Sequence, residues 1–421
     1  MIIKKLEVAG LRVFEQAEFD FEPGMNLLVG VNGVGKTTIL DALRISLSKI
    51  LPEFTASRSP KLGFLTSDIR IGSDSMKISC DFSFKGKDFN LLLHEKKDKH
   101  VADKPGIVRE QAMDTPDIER LTPKISMDHS DIKNPKQQTL GIYFSTRRSL
   151  AIDQKPSTAS TRVGQAAAFS ESLSINRDFN IREIADWMEV QRVIREEDPK
   201  AGLHLGALRY AADKFLPHYE NLHVVKDDGT NHMMIDKEGI PLSIKQLSDG
   251  ERGMLCLALD LARRLSLANP GLENPVEEGK GIVLIDELDL HLHPKWQRTV
   301  VEQLTKTFPN CQFIATTHSP QIIPTVEPEQ VLLIKGKDIL RPDRTYGMDS
   351  NWILKFIMEA DDRPEYSADA IGKVENLIKE GKFSEARAAI SDFKENQGFD
   401  LPEWSVFEAR MSRMEIFGKL K

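Results

Sequence analysis

The feature that most constrains the fold is a glycine-rich loop between an apolar run and a helical run. Residues Gly30–Thr37 read GVNGVGKT and satisfy the pattern GxxxxGK[ST]. The apolar run Met25–Val29 suits a buried parallel strand, and a helix is expected from about Lys36 until just before Pro52. Glycines let backbone N–H groups curl around phosphate oxygens, and the positive end of the following helix strengthens the attraction. The motif therefore predicts an α/β domain that binds a nucleotide.

The side chains of this loop carry separate expected roles. Lys36 is expected to reach the β- and γ-phosphates of ATP, and the Thr37 hydroxyl to ligate Mg²⁺. The remaining residues expected to line the cofactor are Asn32, Gly33, Gly35 and Thr38. The alternative is a glycine-rich turn with a surface lysine, which the strand before the loop and the helix after it make less favourable.

A second motif places two carboxylates after an apolar run. Gly281–Glu287 reads GIVLIDE, which predicts a core strand ending in Asp286 and Glu287. Ligands bind at the carboxyl edge of parallel sheets, where these two side chains are expected. Asp286 is expected to hold Mg²⁺ through water, and Glu287 to orient and polarise the attacking water. The alternative is a strand that ends in a solvated acidic loop.

A third motif, Leu247–Glu251 (LSDGE), precedes a long apolar helix. Ser248 is a good N-cap, Glu251 three residues later completes a capping box, and Gly250 leaves the backbone N–H groups accessible to an anion. A plain helix start is the alternative. The segment resembles the signature of ABC ATPases, in the form common among RecF-like and OLD-like members, and it lies about forty residues before GIVLIDE as in that family. The resemblance implies that Ser248, Gly250 and Glu251 close over the nucleotide of a partner copy, in a homodimer or higher homo-oligomer.

The same resemblance assigns three further positions. His318, in ATTHSP, corresponds to the switch histidine that contacts the γ-phosphate, although a lone histidine is more often structural. His291 and His293 could suggest a metal pair but lack an evident third ligand, and their segment resembles the D-loop that crosses the dimer interface. The Q-loop glutamine is left unassigned: Gln137 and Gln138 are the candidates, and the segment 143–148 lies roughly where the loop should be.

The motifs predict an α/β fold of the ABC-ATPase P-loop type, with a mixed β-sheet, an antiparallel β subdomain, a helical insertion and a helical C-terminal extension. Hairpins are expected over Met76–His94 and Leu222–Ile235, and a single helix over Lys295–Thr307. A polar insertion is expected over His94–Gln138 and a long loop over Ala151–Ser170. The predicted parts are an N-terminal ATPase lobe (1–94), an insertion and helical subdomain (95–220), a second ATPase lobe (221–345) and a helical extension (346–421).

The end of the chain bears on which ABC ATPase this is. OLD-like nucleases carry a Toprim domain, but Lys335 stands where its catalytic glutamate should be, so no nuclease site is expected within the chain. The tail, Tyr346–Leu354 followed by Arg363-Pro364, resembles the PtuA ATPase family of Septu and retron-associated anti-phage defence systems. That resemblance implies a PtuB-like HNH endonuclease as partner. The apolar stripe Ile371–Phe393 is interpreted as intrachain core rather than as a docking face.

Composition limits the partners and the compartment. The chain of 421 residues has a formal charge of −7, three scattered cysteines, and no run of the roughly 20 apolar residues that a membrane span needs. We expect a cytoplasmic protein without a membrane partner. DNA contact is a possibility only through local basic groups: Lys96, Lys97, Lys99 and His100, and Arg147-Arg148.

These observations favour an ATP-hydrolysing subunit of an anti-phage defence complex that regulates a partner HNH nuclease. Two alternatives stay open: a RecF-like DNA-repair ATPase without a nuclease partner, and an ATP-dependent scaffold with little turnover.

Overall fold

The computed structural model describes residues 1–97, 137–149, 164–177, 180–360 and 364–418. The strands are β1 (Ile2–Leu11), β2 (Phe14–Asp20), β3 (Met25–Val29), β4 (Ser75–Phe84), β5 (Lys87–Lys96), β6 (Leu140–Phe144), β7 (Tyr219–Asp227), β8 (Thr230–Lys237), β9 (Ile240–Ser243), β10 (Gly281–Ile285), β11 (Cys311–Thr317), β12 (Val331–Lys335) and β13 (Asp338–Leu340). The helices are α1 (Lys36–Phe54), α2 (Gln165–Ala168), α3 (Ile181–Ile194), α4 (Pro199–Phe215), α5 (Asp249–Ala268), α6 (Pro275–Glu278), α7 (Pro294–Gln297), α8 (Val300–Thr307), α9 (Ser350–Trp352), α10 (Glu365–Lys379), α11 (Phe383–Gln397) and α12 (Pro402–Gly418).

A six-stranded mixed sheet forms the centre of the fold, in the order β13-β12-β3-β11-β10-β6. The five strands from β12 to β6 are parallel, and β13 is antiparallel to β12. Every residue of β3, β6, β10 and β11 is buried, which explains their nearly continuous apolar sequences. Helix α1 packs against this sheet and carries the residues that follow the glycine-rich loop.

A second, antiparallel sheet has the strand order β2-β1-β4-β5. The predicted hairpin over Met76–His94 is confirmed by the pairing of β4 with β5. Strand β2 was not predicted, because Phe14, Ala17 and Phe19 are its buried residues and their uneven spacing gives no clean alternation. A third sheet, β7-β8-β9, confirms the second predicted hairpin.

The predicted end of the first helix was wrong. Helix α1 continues through Pro52 to Phe54 instead of stopping at Leu51. A proline inside a helix removes one backbone hydrogen bond and distorts the turn before it. Because α1 ends at Phe54, soon after Pro52, the distortion lies at the end of the helix and little of the helix is displaced. The extension brings the Phe54 ring within 5.0–5.6 Å of the rings of three phenylalanines of the β4–β5 hairpin: Phe82, Phe84 and Phe89. This aromatic burial favours the additional turn.

Two other local predictions need correction. The single helix expected over Lys295–Thr307 is divided into α7 and α8 around Arg298 and Thr299, and α7 begins at Pro294 with His293 as its N-cap. The long loop expected over Ala151–Ser170 contains the short helix α2. The rest of that loop, 150–163, and most of the predicted polar insertion, 98–136, lie outside the described residues.

The chain divides into two compact units, Met1–Ile353 and Leu354–Lys421. The second unit has its own core, formed by residues of α10, α11 and α12: Val374, Ile378, Ala386, Ile390, Phe393, Trp404, Phe407 and Met411. The interpretation of the Ile371–Phe393 stripe as intrachain core is therefore confirmed. The four-part division proposed from the sequence stays a prediction. The predicted α/β class, with a mixed sheet, an antiparallel subdomain and helical additions, is confirmed.

Candidate nucleotide site

Three neighbouring strands of the central sheet end at one edge. Strands β3, β11 and β10 are parallel and adjacent, so the loop at Gly30, the pair Asp286-Glu287 and His318 all follow the carboxyl ends of paired strands. The register pairs Val29 with Thr317, and Ile285 with Ala315. Segments separated by about 290 residues are thus brought to one edge of the sheet, which is where α/β folds bind ligands. This edge is called the nucleotide edge from here on.

The glycine-rich loop requires glycine at two positions for different reasons. Gly33 and Gly35 have φ values of 81° and 106°, which side-chain-bearing residues rarely adopt. A Cβ atom at Gly33 would meet nothing within 4 Å, whereas one at Gly35 would lie 2.5 Å from the ring of Phe14. Gly33 thus faces open space, and Gly35 packs closely on the β1–β2 turn.

This difference predicts unequal effects of alanine at the two glycines. Gly33→Ala is expected to cost about 1–2 kcal/mol of folding free energy through its left-handed backbone alone. Gly35→Ala adds the collision with Phe14, so we expect the larger loss of stability and at least a tenfold loss of ATP affinity. Thermal unfolding and binding of a fluorescent ATP analogue measure both effects; equal losses in the two variants would contradict the packing argument.

Lys36 lies folded over the loop that precedes it. Its Nζ donates to the carbonyls of Gly30 at 2.8 Å and Val31 at 3.0 Å. Burial lowers the pKa of Lys36, and the opposing field of Asp286, Glu287 and other carboxylates only partly offsets that effect. The ammonium is therefore held at the loop, within the space where a bound phosphate would meet it.

Thr37 and Asp286 meet directly. The Thr37 hydroxyl lies 3.3 and 3.2 Å from the two Asp286 carboxylate oxygens. Hydroxyl and carboxylate oxygens are ligands that Mg²⁺ accepts, and oxygens this close fit into one octahedral coordination sphere. The residues present therefore fit a magnesium ion, with Asp286 contributing directly or through water.

Thr316 was missed by the sequence analysis although it organises both carboxylate residues. Its hydroxyl donates to Asp286 at 2.7 Å and accepts from the backbone N–H of Glu287 at 2.6 Å. Glu287 has a φ of 50°, a left-handed conformation unusual for glutamate. The signal in the sequence was the pair of threonines that ends the apolar run before His318.

His318 is held by the segment that follows the carboxylate pair. One Asp289 carboxylate oxygen accepts from the Thr317 hydroxyl at 2.6 Å and from the His318 backbone N–H at 3.2 Å. Burial, with a contribution from Lys36, lowers the pKa of the His318 imidazole against the opposing effect of nearby carboxylates. The ring is therefore favoured in its neutral form at neutral pH.

Asn32 and Thr38, the first and last of the loop residues predicted to line the cofactor, lie in different environments. Asn32 is exposed, whereas Thr38 is buried and its hydroxyl accepts from Arg12 Nη1 at 3.4 Å. Arg12 also contacts Asp41 and Asp68, each at 2.9 Å. The Thr38 side chain thus faces the β1–β2 turn, and its contact with a nucleotide stays a prediction.

The predicted capping box at the start of α5 is confirmed. The backbone N–H of Glu251 donates to Ser248 Oγ at 3.3 Å, and the Ser248 N–H donates to the Glu251 carboxylate at 3.1 Å. Gly250 is required by packing, because a Cβ there would lie 2.8 Å from the carbonyl oxygen of His291. The start of α5 therefore packs on the segment around His291 and His293, called the D-loop-like segment from here on.

The two histidines of that segment have structural contacts. His291 has a φ of 60°, and the ring of His293 accepts from the Lys295 N–H at 3.3 Å to cap α7. In the part of the chain that the structure describes, no group of three or more His, Cys, Asp or Glu side chains is arranged to hold a metal ion.

The Q-loop candidates do not lie at the nucleotide edge. Gln137 and Gln138 precede β6, and Gln138 Oε1 accepts from the Ala56 N–H at 2.6 Å at the opposite edge of the sheet. At the nucleotide edge the chain continues instead as Ser145 and Thr146, next to Phe144, whose carbonyl accepts from the Asp286 N–H at 2.9 Å. This segment supplies no glutamine there.

A buried charge cluster joins α5 to the same region. Asp260 contacts Arg264 at 3.0 Å, Arg263 at 3.3 Å and Arg177 through a short hydrogen bond. Arg177 also donates to the Tyr143 carbonyl at 3.1 Å. Although burial raises the pKa of Asp260, the three arginines outweigh it and hold that pKa far below its usual range.

The predicted tail segment, Tyr346–Leu354, is hydrogen-bonded to the loop that follows His318. Ser350 accepts from the Gln321 amide at 2.6 Å, and Ser319 donates to Gln297 at 2.7 Å. Gln297 in turn donates to the Leu292 carbonyl at 2.8 Å, in the D-loop-like segment. The start of the predicted tail is therefore part of the hydrogen-bond network around the site, although Arg363 lies outside the described residues.

Only some of the basic residues considered for DNA contact lie in the described part of the chain. Lys97 donates to the carbonyls of Arg70 and Ser73, at 3.4 and 2.9 Å, so it has a local structural role. Lys96 and Arg147 are exposed, whereas Lys99 and His100 lie outside the described residues. Among the described helices, none is long and apolar enough to cross a membrane.

This fold and site define a P-loop nucleotide-binding protein, and sequence comparison gives its family. Residues 25–323 match the family described as "AAA domain, putative AbiEii toxin, Type IV TA system". The chain belongs to this ATPase family. The predicted resemblance to retron and Septu ATPases is likewise confirmed by relatives that align along most of the chain.

The chain is 29% identical to the "Retron Ec83 probable ATPase" of Escherichia coli, over 97% of this chain and 88% of that protein. It is 24% identical to "Septu protein PtuA" of Bacillus thuringiensis, over 85% of this chain and 83% of that protein. A solved structure, the SMC head domain from Thermotoga maritima, has 16% identity and a TM-score of 0.42, covering 82% of this chain and 100% of that one.

Proposed function

We propose that the chain is the ATP-binding and ATP-hydrolysing subunit of an anti-phage defence complex, and that it regulates a partner HNH endonuclease. The defence role is supported by the similarity to a retron ATPase and to a Septu protein along most of each chain. The ATPase role is supported by membership of the family and by the chemistry of the site.

The observation that carries the catalytic proposal is the convergence of Thr37, Asp286 and Glu287 at one sheet edge. Lys36 would neutralise the β- and γ-phosphates, while Thr37 and Asp286 would hold Mg²⁺. When bound, the ion would neutralise charge on the phosphate oxygens. Glu287 would orient and polarise the water that attacks the γ-phosphate, and a neutral His318 would hydrogen-bond that phosphate.

We further propose that two copies complete each other's sites. Ser248 is exposed at the amino end of the 20-residue helix α5, where backbone N–H groups and the helix dipole favour an anion. Gly250 keeps that helix end close to the D-loop-like segment. In this arrangement Ser248, Gly250 and Glu251 of one copy face the ATP of the other.

Ser248→Arg tests the shared site. The long side chain would obstruct a phosphate held at the start of α5, so we expect loss of ATP-dependent dimerisation, measured by analytical ultracentrifugation with the hydrolysis-impaired Glu287→Gln protein. Circular dichroism of the monomer should change little, because Ser248 is exposed. The free energy of unfolding should fall only by the loss of the helix cap, about 1 kcal/mol. Ser384→Arg, at an exposed serine of α11, is the matched control; a dimer equally strong in both variants would contradict the shared site.

The nuclease partner requires a separate experiment. A tagged chain co-expressed with its neighbouring gene products should co-purify with an HNH endonuclease, and Lys36→Ala in the ATPase should change the DNA cleavage of that complex. DNA binding without an associated nuclease would instead support the RecF-like alternative.

A further inference from the structure

Glu251 has partners beyond the helix cap. Its Oε2 accepts from the Ser248 hydroxyl at 2.8 Å, as well as from the backbone N–H of that residue. Its Oε1 accepts from the Tyr219 hydroxyl at 2.8 Å and lies 3.6 Å from Lys237 Nζ. Each carboxylate oxygen therefore has its own partners, one set from the helix and the other from the β7–β8 hairpin.

Tyr219 and Lys237 act on Glu251 as a pair. They are directly opposite each other in the register of β7 and β8, and Lys237 Nζ lies 4.9 Å from the centre of the Tyr219 ring. Tyr219 foremost, together with Glu251, raises the pKa of Lys237, while burial is the main cause that raises the pKa of Tyr219. At neutral pH the hairpin thus presents a positive charge and a hydroxyl donor to the carboxylate.

The position of this carboxylate creates an electrostatic conflict for a phosphate site. Glu251 lies within 3.1 Å of the Ser248 N–H, at the helix end where an anion would bind. An uncompensated negative charge there offsets the positive end of the helix dipole and repels phosphate. A glutamine at the same position would form the cap without that charge.

We propose that Lys237 and Tyr219 are positioning residues for the signature, an inference that rests on the proposed shared ATP site. Lys237 neutralises Glu251, and Tyr219 fixes the carboxylate on the hairpin side. Ser248 and the amino end of α5 are thereby left able to bind the phosphates of ATP held by a second copy.

The test is a double-mutant cycle on ATP-dependent dimerisation, carried out in the Glu287→Gln protein. Lys237→Ala should raise the ATP concentration for half-maximal dimerisation about two- to fivefold, the range for a partly exposed ion pair. Lys237→Arg should restore it, and Lys226→Ala, an exposed lysine on β7, should have no effect. In the Glu251→Gln background, Lys237→Ala should also have no effect, because no charge is left to neutralise.

The outcomes distinguish a failure of the role given to Lys237 from a failure of the shared ATP site. Equal losses from Lys237→Ala in the presence of Glu251 and in the Glu251→Gln background would mean that Lys237 only stabilises the hairpin, and would overturn the inference. Normal dimerisation of Lys237→Ala with Glu251 present would overturn it as well. Failure of the Glu287→Gln parent to dimerise with ATP would overturn the shared site itself.

Discussion

Replacing Glu287 by glutamine is expected to lower the rate of ATP hydrolysis by about two to four orders of magnitude, the usual contribution of a positioned general base. ATP binding should persist, because Lys36 and the glycine-rich loop are unchanged. The isosteric amide also preserves the backbone hydrogen bond from residue 287 to Thr316. Phosphate release assays give the rate, and equilibrium binding of a fluorescent ATP analogue gives the affinity.

The same substitution separates an enzyme from a scaffold. Glu302→Gln, at an exposed glutamate of α8 that pairs with Lys306, is the matched control and should hydrolyse ATP at the wild-type rate. If the wild type and Glu287→Gln hydrolyse ATP equally slowly, Glu287 is not the general base and the scaffold alternative gains support.

The largest expected effect on stability comes from Asp260→Asn. This change removes the carboxylate that three buried or largely buried arginines share, so their charges lose a common partner. Breaking a buried ion pair from one side typically costs about 3–5 kcal/mol. We expect a loss of this size in the free energy of unfolding, measured by urea denaturation. Asp249→Asn, which breaks the exposed pair with Arg252, should cost less than about 1 kcal/mol.

The pH dependence of the free energy of unfolding gives a second test of the role of Asp260. A carboxylate whose pKa is lowered by folding stabilises the protein above its unfolded pKa of about 3.9, and this stability is lost as the pH falls towards the folded pKa. The difference between wild type and Asp260→Asn should therefore be largest near neutral pH and shrink below about pH 4. A difference that is small at neutral pH would contradict the assignment.

Much of the nucleotide edge was predictable because its signals are local. Gly30–Thr37, Asp286-Glu287 and the cap at Ser248 each combine an apolar run with residues at fixed short spacing. Parallel strands then bring their carboxyl ends to one edge whatever the length of chain between them. The relative positions of His318 and Asp286 followed from that rule alone.

The missed features depend on contacts between distant segments. Asp260 lies in a helix whose sequence is mostly apolar, and its partner Arg177 is 83 residues away. Tyr219 and Lys237 reach Glu251 only because the β7–β8 register places them opposite each other. Gln138 was considered for the Q-loop from its position in the chain, but the direction of β6 takes it to the other edge. The pattern of residues in a single sequence does not show which distant residues will come into contact.

The left-handed backbone of Glu287 has a consequence for how the protein can change. A side-chain-bearing residue in that region costs about 1–3 kcal/mol, which glycine would relieve. If Glu287 is the general base, as proposed, selection for a more stable fold and selection for ATP hydrolysis act in opposite directions at position 287. Under the proposed mechanism, a descendant that abandoned hydrolysis would be free to gain thermal tolerance at this single codon, and the identity of residue 287 would record which pressure had prevailed.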